Sequence, residues 1–490
     1  MTRTVLLYAC ALALAASVVA HAQRSSGYAT PGTLTRLTHT APNGSETPFQ
    51  LTDGTVLVQG FSDSDWYKLT PDVTGSYLNG TWTRMADLPQ GYAPYAMASA
   101  VLADGRVVII GGEYNFGSFA FTNLGAIYDP LANTWTRINP PAGWDFIGDS
   151  QSVVLPNGKF LVGRKFDTQM AQLDPRTLTW EAVSSLGKSD WFSEEGWTLM
   201  PNGTILTADV LNNPNSEHYV PSEGRWVQDG STVANLQGPP EVGCIHGEWG
   251  DYCPPGEIGP AILRPDGSVF ATGALHLGAS TGHTAIYRPG PTQDDPGTWR
   301  AGPDFPNRDD AGDNFAALLP NGNVLVEGNS GRLYEFDGTN FITGPFSSGG
   351  PLMVLPTGEV LVGGSYIYTP SNRNYNSAWA PKLIMGSGTI LRRGQSYTIP
   401  GQRFNGMSQA AAFGDEFQTA TNYPLIRFTF PATHHVVYVR THDHSTMAVQ
   451  TGTNLTTTHM DLPANMERGS AYMEVVANGI PSPKVLVYLF

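Results

Sequence analysis

The chain has 490 residues, with 27 Lys and Arg against 42 Asp and Glu, for a formal charge of −15. That balance excludes a protein built to grip a nucleic-acid backbone or an anionic lipid surface, since either needs a basic face to release counterions. The 55 glycines and 37 prolines, with 11 Trp, 20 Tyr and 21 Phe, predict an all-β protein of short strands and many turns, too long for a single ordinary core.

In chain order, the first feature is Arg3 followed by the apolar run Val5 to Ala20 and then Ala20-His21-Ala22. This is the order of a secretory signal, so residues 1–22 are expected to be removed near Ala22 and the mature protein to be exported, extracellular or periplasmic. The run is short for a membrane span, and nothing later approaches the roughly 18 apolar residues that one needs.

A motif then recurs: an apolar strand, Asp-Gly, Asn-Gly or Thr-Gly, and a second apolar strand. Its glycines are Gly54, Gly105, Gly158, Gly203, Gly267, Gly322 and Gly358. Each copy reads as a tight hairpin, because Asn-Gly and Asp-Gly supply positive φ. Most copies continue into Tyr-Asp-Pro or a variant (Tyr128, Asp174, Tyr219, Tyr287, Tyr334, Tyr368). A tryptophan strand follows at Trp82, Trp135, Trp180, Trp226 and Trp299, with Phe341 in the sixth copy, and these rings are expected to pack between repeats.

The glycines are 51, 53, 45, 64, 55 and 36 residues apart, which brackets the roughly 50 of a kelch blade. Seven units of four strands predict a seven-bladed β-propeller over residues 23–380. The last unit lacks its tryptophan strand, and Gly32-Thr33-Leu34-Thr35-Arg36-Leu37 resembles Gly80-Thr81-Trp82-Thr83-Arg84-Met85, so the N-terminal strand is expected to close the last blade. From about Pro381 a different pattern of short strands predicts an immunoglobulin-like β-sandwich over 381–490.

One insert, Gln237 to Pro260, interrupts the repeat. It carries Cys244 and Cys253, which an oxidising compartment would join in a disulfide, with Glu241, His246, Glu248, Trp249 and Asp251 around them. Such a loop either shapes a pocket or braces neighbouring blades.

With these features the chain resembles the galactose oxidase and kelch group, in which a seven-bladed propeller precedes an immunoglobulin-like domain. The resemblance implies a copper-radical oxidase site made of a cysteine-crosslinked tyrosine, a Tyr-His pair and a histidine from a C-terminal loop. Tyr95 is the counterpart of the tyrosine, but no cysteine lies in its blade and no Tyr-His dipeptide occurs in the sequence. Arg440-Thr441-His442-Asp443-His444-Ser445 is the one counterpart of the histidine loop, so the copper-radical cofactor is not expected.

Counting back nine residues from each hairpin glycine marks the start of each innermost strand: Ser45, Ala96, Asp149, Glu194, Ile258, Asp313 and Gly349. Three are carboxylates, Glu46 and Glu195 follow by one residue, and Glu257 precedes by one. An acidic ring at one mouth of the channel is therefore expected, with its repulsion relieved by a cation, an arginine or raised pKa values. Such a ring suits Ca²⁺, a cationic ligand or a hydroxyl-rich one; the plain alternative is that each carboxylate caps loop amides or faces water. His442 and His444 are two apart and would share one side of a strand, whereas His434 and His435 would alternate. If that loop reaches the channel, the imidazoles with Glu194 and Asp313 make a transition-metal site; otherwise they are interface histidines. Trp191 and Trp197 flank Glu194 and lie outside the tryptophan series, which suits either stacking on a sugar or core packing.

The favoured reading is an exported protein that binds a small molecule or carbohydrate at the acidic mouth, with Ca²⁺ or a transition metal as a possible companion. The alternatives are a metal-dependent oxidoreductase or hydrolase using Asp149, Glu194, Asp313 and His442 or His444, and an extracellular module for a protein partner. No nucleic-acid partner and no membrane span are expected.

Overall fold

The computed structural model describes residues 30–490 apart from 239–244, 248–249, 253–255, 277, 348, 410–411 and 414–416. The expected leader at 1–22, Cys244 and Cys253 with their expected disulfide, and Glu241, Glu248 and Trp249 lie outside the described residues. Among the described residues the chain is all-β apart from one short turn of 3-10 helix at Pro306–Arg308, and no helix is long and apolar enough to cross a membrane.

Between Thr33 and Thr369 the described chain forms seven four-stranded antiparallel sheets. The first holds Pro48–Gln50, Val56–Gln59, Trp66–Thr70 and Thr81–Arg84 in chain order. The next five begin at Ala98–Val101, Ser152–Val154, Thr198–Leu199, Ala261–Leu263 and Ala316–Leu318, and the seventh at Leu352–Val354. First and second strands are dominated by Val, Ile, Leu and Ala and are almost wholly buried, as in Val107–Ile110 and Val324–Glu327.

The turns between first and second strands show why the repeat reads Asp-Gly or Asn-Gly. Each of the seven glycines has φ between 79° and 88°, while the Asp or Asn before it is not left-handed. In the second sheet the Gly105 amide donates to the Leu102 carbonyl at 2.9 Å, a type I turn closed by a glycine bulge rather than a two-residue hairpin. The acidic or amide side chain has a separate task, accepting the backbone amide two residues on. Asp53 takes Thr55 N at 3.0 Å, Asp104 takes Arg106 N at 3.0 Å, and Asn157, Asn202, Asp266 and Asn321 do the same in their sheets.

The seventh sheet takes its fourth strand from the other end of the chain. Thr33–Arg36 pairs antiparallel with Tyr366–Thr369, with Leu34 opposite Tyr368. Neighbouring sheets meet through their first strands: Pro48–Gln50 lies against Ala98–Val101, which in turn lies against Ser152–Val154. Thr198–Leu199, Ala261–Leu263, Ala316–Leu318 and Leu352–Val354 continue the series. Third-strand tyrosines tie sheets further: the Tyr287 hydroxyl donates to Asp229 at 3.1 Å and that of Tyr368 donates to Glu335, each in the preceding sheet. The tryptophans span the same gaps, with Trp135 4.9 Å from Trp66 and Trp299 Nε1 donating to Ser216 Oγ at 2.7 Å.

After Ala380 the chain builds two further sheets around one core. Lys382–Leu383, Ser396–Gln402, Leu455–Asp461 and Thr441–His442 form the first, in that spatial order. Leu425–Thr429, Val436–Val439, Gly469–Ala477 and Val485–Leu489 form most of the second. Ile399, Phe428, Val439, Met460, Met473 and Val487 are buried between them. This part packs on the glycine-turn end of the earlier sheets: Thr441 N donates to Thr52 O at 3.0 Å, His444 N to Ala103 O at 3.1 Å and Met447 N to Pro156 O at 3.1 Å.

Tyr368 is the buried joint between chain ends, since its hydroxyl donates to Glu335 and accepts Gly32 N at 3.0 Å. Tyr368→Phe leaves both partners unmatched. It is expected to lower unfolding free energy by about 1–3 kcal/mol in denaturant titrations. An unchanged midpoint and slope would show that this contact does not hold the ends together.

Candidate functional site

The first strands begin at the end of the sheets opposite the glycine turns, and the second strands return to it. Lys165 emerges there just after Phe160–Gly163. Its ammonium lies 2.6 Å from Asp149 Oδ2 and 2.6 Å from Glu194 Oε1, and its side chain is 1% exposed. Asp149 leads into the third sheet and Glu194 into the fourth. Glu257 and Asp313 stand before the fifth and sixth, and the charges of Glu194, Asp313, Lys165 and Asp149 all act on Glu257. The Asp313 amide bonds to the Ile258 carbonyl at 3.2 Å, which holds these two entrances together.

Burial decides the protonation of this group. Glu257 is pushed from 4.5 up to about 10, first by burial and then by the charges of Glu194 and Asp313, with Lys165 opposing. Asp149 is raised well above the usual carboxylate range by burial, against the pull of Lys165, with Glu194 and Glu113 adding to the rise. The Lys165 ammonium is paired with Asp149 and Glu194, and burial holds Asp149 and Glu257 toward their protonated forms. Exposure is graded: Asp149 is buried, Glu194 and Glu257 are half-buried, and Asp313 is exposed. A ligand arriving from solvent meets the protonated Glu257 carboxyl as a donor among carboxyl acceptors, the mixed set that sugar hydroxyls need.

Lys165 and Glu113 were not among the residues predicted for this site. Lys165 stands seven residues after Gly158, where the second strand returns to the strand entrances, and extending the positional count to that return would have found it.

Glu195 does not join this group. Adjacent to Glu194, it faces the other way and meets a second buried lysine, Lys188, at 3.4 Å. Glu217 is 2.7 Å from the same ammonium and Asp190 is also paired with it, while Asp209 accepts the Ser189 hydroxyl at 2.8 Å. Burial raises Glu195 well above its ordinary range and, with the Asp190 charge, pushes Asp209 up to about 8. This cluster, from one sheet and its approach loop, was also missed by the count of strand entrances.

Of the aromatic candidates, Trp191 is 55% exposed whereas Trp197 is buried against Phe192 and Trp226. Tyr95 is half-buried in the short strand Pro94–Tyr95, its ring 5.9 Å from that of Tyr114. In the insert, Ile245–Gly247 pairs with Gly250–Tyr252, placing His246 opposite Asp251.

The histidines depart from expectation. Asp443 has φ 50°, so the strand ends at His442 and the two imidazoles do not share a side. His444 is buried at the glycine-turn end, stacked 5.9 Å from Tyr423 with Nδ1 2.9 Å from Thr458 Oγ1, and burial lowers its pKa to about 3. His442 instead faces His459, Asp443 and Asp461. Neither reaches the carboxylates at the opposite end of the sheets. His435 pairs with Glu467 at 2.9 Å, and His434 takes φ 60°.

A different C-terminal segment reaches the first strands. The hairpin Ala412–Phe413 with Phe417–Gln418 lies against Ala98–Val101, Ala261–Leu263 and Ala316–Leu318. Beside it Gln409 Nε2 donates to Val154 O at 3.1 Å, Thr419 Oγ1 to Leu352 O at 3.1 Å and the Tyr423 hydroxyl to Gln50 O. Residues 405–423 therefore touch first strands of six of the seven sheets, and this stretch of sequence contains no histidine.

No protein-family model and no curated protein matches the chain. A fungal alcohol oxidase of the AA5 family, solved in complex with copper, superposes with a TM-score of 0.50 at 14% identity, covering 94% of this chain and 99% of that one. A streptogramin B lyase superposes with a TM-score of 0.45 at 11% identity, covering 69% of this chain and 97% of that one. At these identities the likeness is one of fold: an all-β chain with galactose-oxidase-like and other β-propeller neighbours.

Because native Glu257 keeps its proton up to about 10 while an ordinary glutamate loses it near 4.5, the folded state binds more protons than the unfolded chain between those values. Stability therefore falls as pH rises through that window. Glu257→Gln removes the requirement, so its melting temperature is expected to gain on the wild type steadily between about pH 5 and pH 9. Calorimetry showing a constant difference would contradict the assignment of the proton to Glu257.

Proposed function

We propose that this protein is exported after cleavage near Ala22 and folds as a seven-bladed kelch-type β-propeller over 23–380 with an immunoglobulin-like sandwich over 381–490. We further propose that it binds a hydroxyl-rich small molecule, a carbohydrate, where the strand entrances converge. The observation that carries this reading is the pairing of Asp149 and Glu194, from the entrances of two successive sheets, with the buried Lys165, in the field of which Glu257 and Asp313 also lie. Unlike the enclosed group around Lys188, the described residues of this group rise from buried Asp149 to an exposed rim at Asp313. The protonated Glu257 carboxyl offers a donor among acceptors, and exposed Trp191, on the segment that carries Glu194, supplies a ring face of the kind that stacks on pyranose rings.

A catalytic reading has one observation in its favour. Glu257 holds a proton at neutral pH, as a general acid must, and Glu194 is an acceptor in the same group. Glycoside hydrolysis is the reaction class that such a pair of carboxyls serves.

The mature, untagged protein is to be tested on an array of neutral and amino-substituted glycans, with Lys165→Met and Trp191→Ala beside it. Expected is binding to one group of neutral glycans that falls at least about tenfold in Lys165→Met, equivalent to roughly 1.4 kcal/mol. Binding that survives Lys165→Met moves the site elsewhere. An array without any bound glycan ends the carbohydrate reading. Release of reducing sugar from a bound glycan, lost in Glu257→Gln, would select the hydrolase over simple binding.

A further inference from the structure

We propose that the C-terminal sheet carries a divalent transition-metal site formed by His442, His459 and Asp443, independent of the acidic group and at the other end of the sheets. Thr398, His459 and His442 stand directly opposite one another on three adjacent antiparallel strands, Ser396–Gln402, Leu455–Asp461 and Thr441–His442. In Leu455–Asp461, Thr456, Thr458 and Met460 are buried while His459 is on the alternate, partly exposed face. The row is thus fixed by strand register and open to solvent. The two imidazoles stack at 5.4 Å between centroids. One ligand atom from each of His442, His459 and Asp443 lies within 4.8 Å of the others. Three ligands on one ion at roughly 2.0–2.2 Å each lie about 3.3 Å apart when tetrahedral, so closure requires side-chain adjustment alone.

The polar partners of these rings identify the coordinating nitrogens. His459 Nε2 is held by Thr398 Oγ1 at 3.0 Å, while its Nδ1 is buried and has no hydrogen-bond partner. His442 Nε2 is held by Asp461 Oδ1 at 3.2 Å, and its Nδ1 meets Asp443 Oδ2 at 2.7 Å. Asp461 is itself fixed by Arg440 Nη1 at 2.9 Å. Both Nδ1 atoms therefore have an outer partner on the far side of the ring, the arrangement by which metal-binding histidines are oriented. An ion bound there takes the place of the proton shared by His442 Nδ1 and Asp443, and satisfies the orphaned Nδ1 of His459. Two imidazoles and one carboxylate select a borderline ion such as Zn²⁺ or Cu²⁺ over Ca²⁺, with water at the fourth position.

The full mature chain, without a histidine tag, is dialysed against Zn²⁺ and metal counted per protein, with His459→Ala, Asp461→Asn and His434→Ala alongside. Expected is one equivalent in wild type and in His434→Ala, and loss of that equivalent in His459→Ala. Asp461→Asn is expected to bind about 10–100-fold more weakly while keeping the wild-type fold by circular dichroism. With Cu²⁺ as probe, electron paramagnetic resonance is expected to show coupling to two nitrogens in wild type and to one in His459→Ala. Wild type without bound Zn²⁺, or with an equivalent that His459→Ala retains, overturns the proposal. Glycan binding at Lys165 is unaffected by these substitutions, so either reading can fail without the other.

Discussion

Every side chain of the acidic group depends on a backbone pairing made between the two ends of the repeat. A four-stranded sheet with two apolar faces has no stable place in water by itself, and a row of such sheets leaves two unsatisfied outer faces. Pairing Thr33–Arg36 with Tyr366–Thr369 gives the last sheet its fourth strand from the segment that precedes the first sheet. The entrances of the first strands are then held at fixed distances from one another. Residues 405–423 add a second restraint, since one short stretch bonds to first strands from sheets widely separated in sequence. Asp149 and Glu194, which lead into different sheets, share Lys165 within these restraints.

The two buried lysines show how the same chemistry serves different ends. Lys188 is wholly enclosed, and its partners Asp190, Glu195 and Glu217 come from a single sheet and its approach loop. Breaking such a buried group costs far more than making it ever gained, which makes it a brace for that loop. Lys165 is just as enclosed, but the carboxyls around it belong to different sheets and climb toward solvent. A brace gains nothing from an exposed rim; a binding site requires one.

Sequence periodicity carried the architecture further than the chemistry. The hairpin glycines, the tyrosines after them and the N-terminal strand that completes the last sheet were all legible, because each is fixed by local backbone demands repeated many times. Glu194 and Asp149 were legible as well, since a count from the hairpin places them at a strand entrance. The same count gave Glu195 the wrong side, as a shift of one residue reverses the direction of a side chain in extended backbone. His442 and His444 were paired by a rule for regular strands that the left-handed Asp443 breaks. Lys165 needed the count carried on to the return of the second strand, whereas the 405–423 segment and the facing His459 have no repeated pattern. Their positions follow from register between strands distant in sequence, which a single sequence does not display.

The glycine turns explain why the two ends of the sheets are put to different use. A side chain at Gly54 would stand 2.4 Å from the Tyr438 ring, one at Gly322 would stand 2.9 Å from Trp379, and one at Gly479 would press within 2.7 Å of Gly358. These glycines satisfy the turn through positive φ and, at the same atoms, admit the chain from Trp379 onward against it. Because Gly54, Gly322 and Gly358 meet both demands, the turn end can change little without disturbing both turn and packing. The strand entrances share no such uniform demand: of the seven, Ala96, Asp313 and Gly349 have positive φ while Ser45, Asp149, Glu194 and Ile258 do not, and the residue types vary accordingly, with carboxyl groups at three of them.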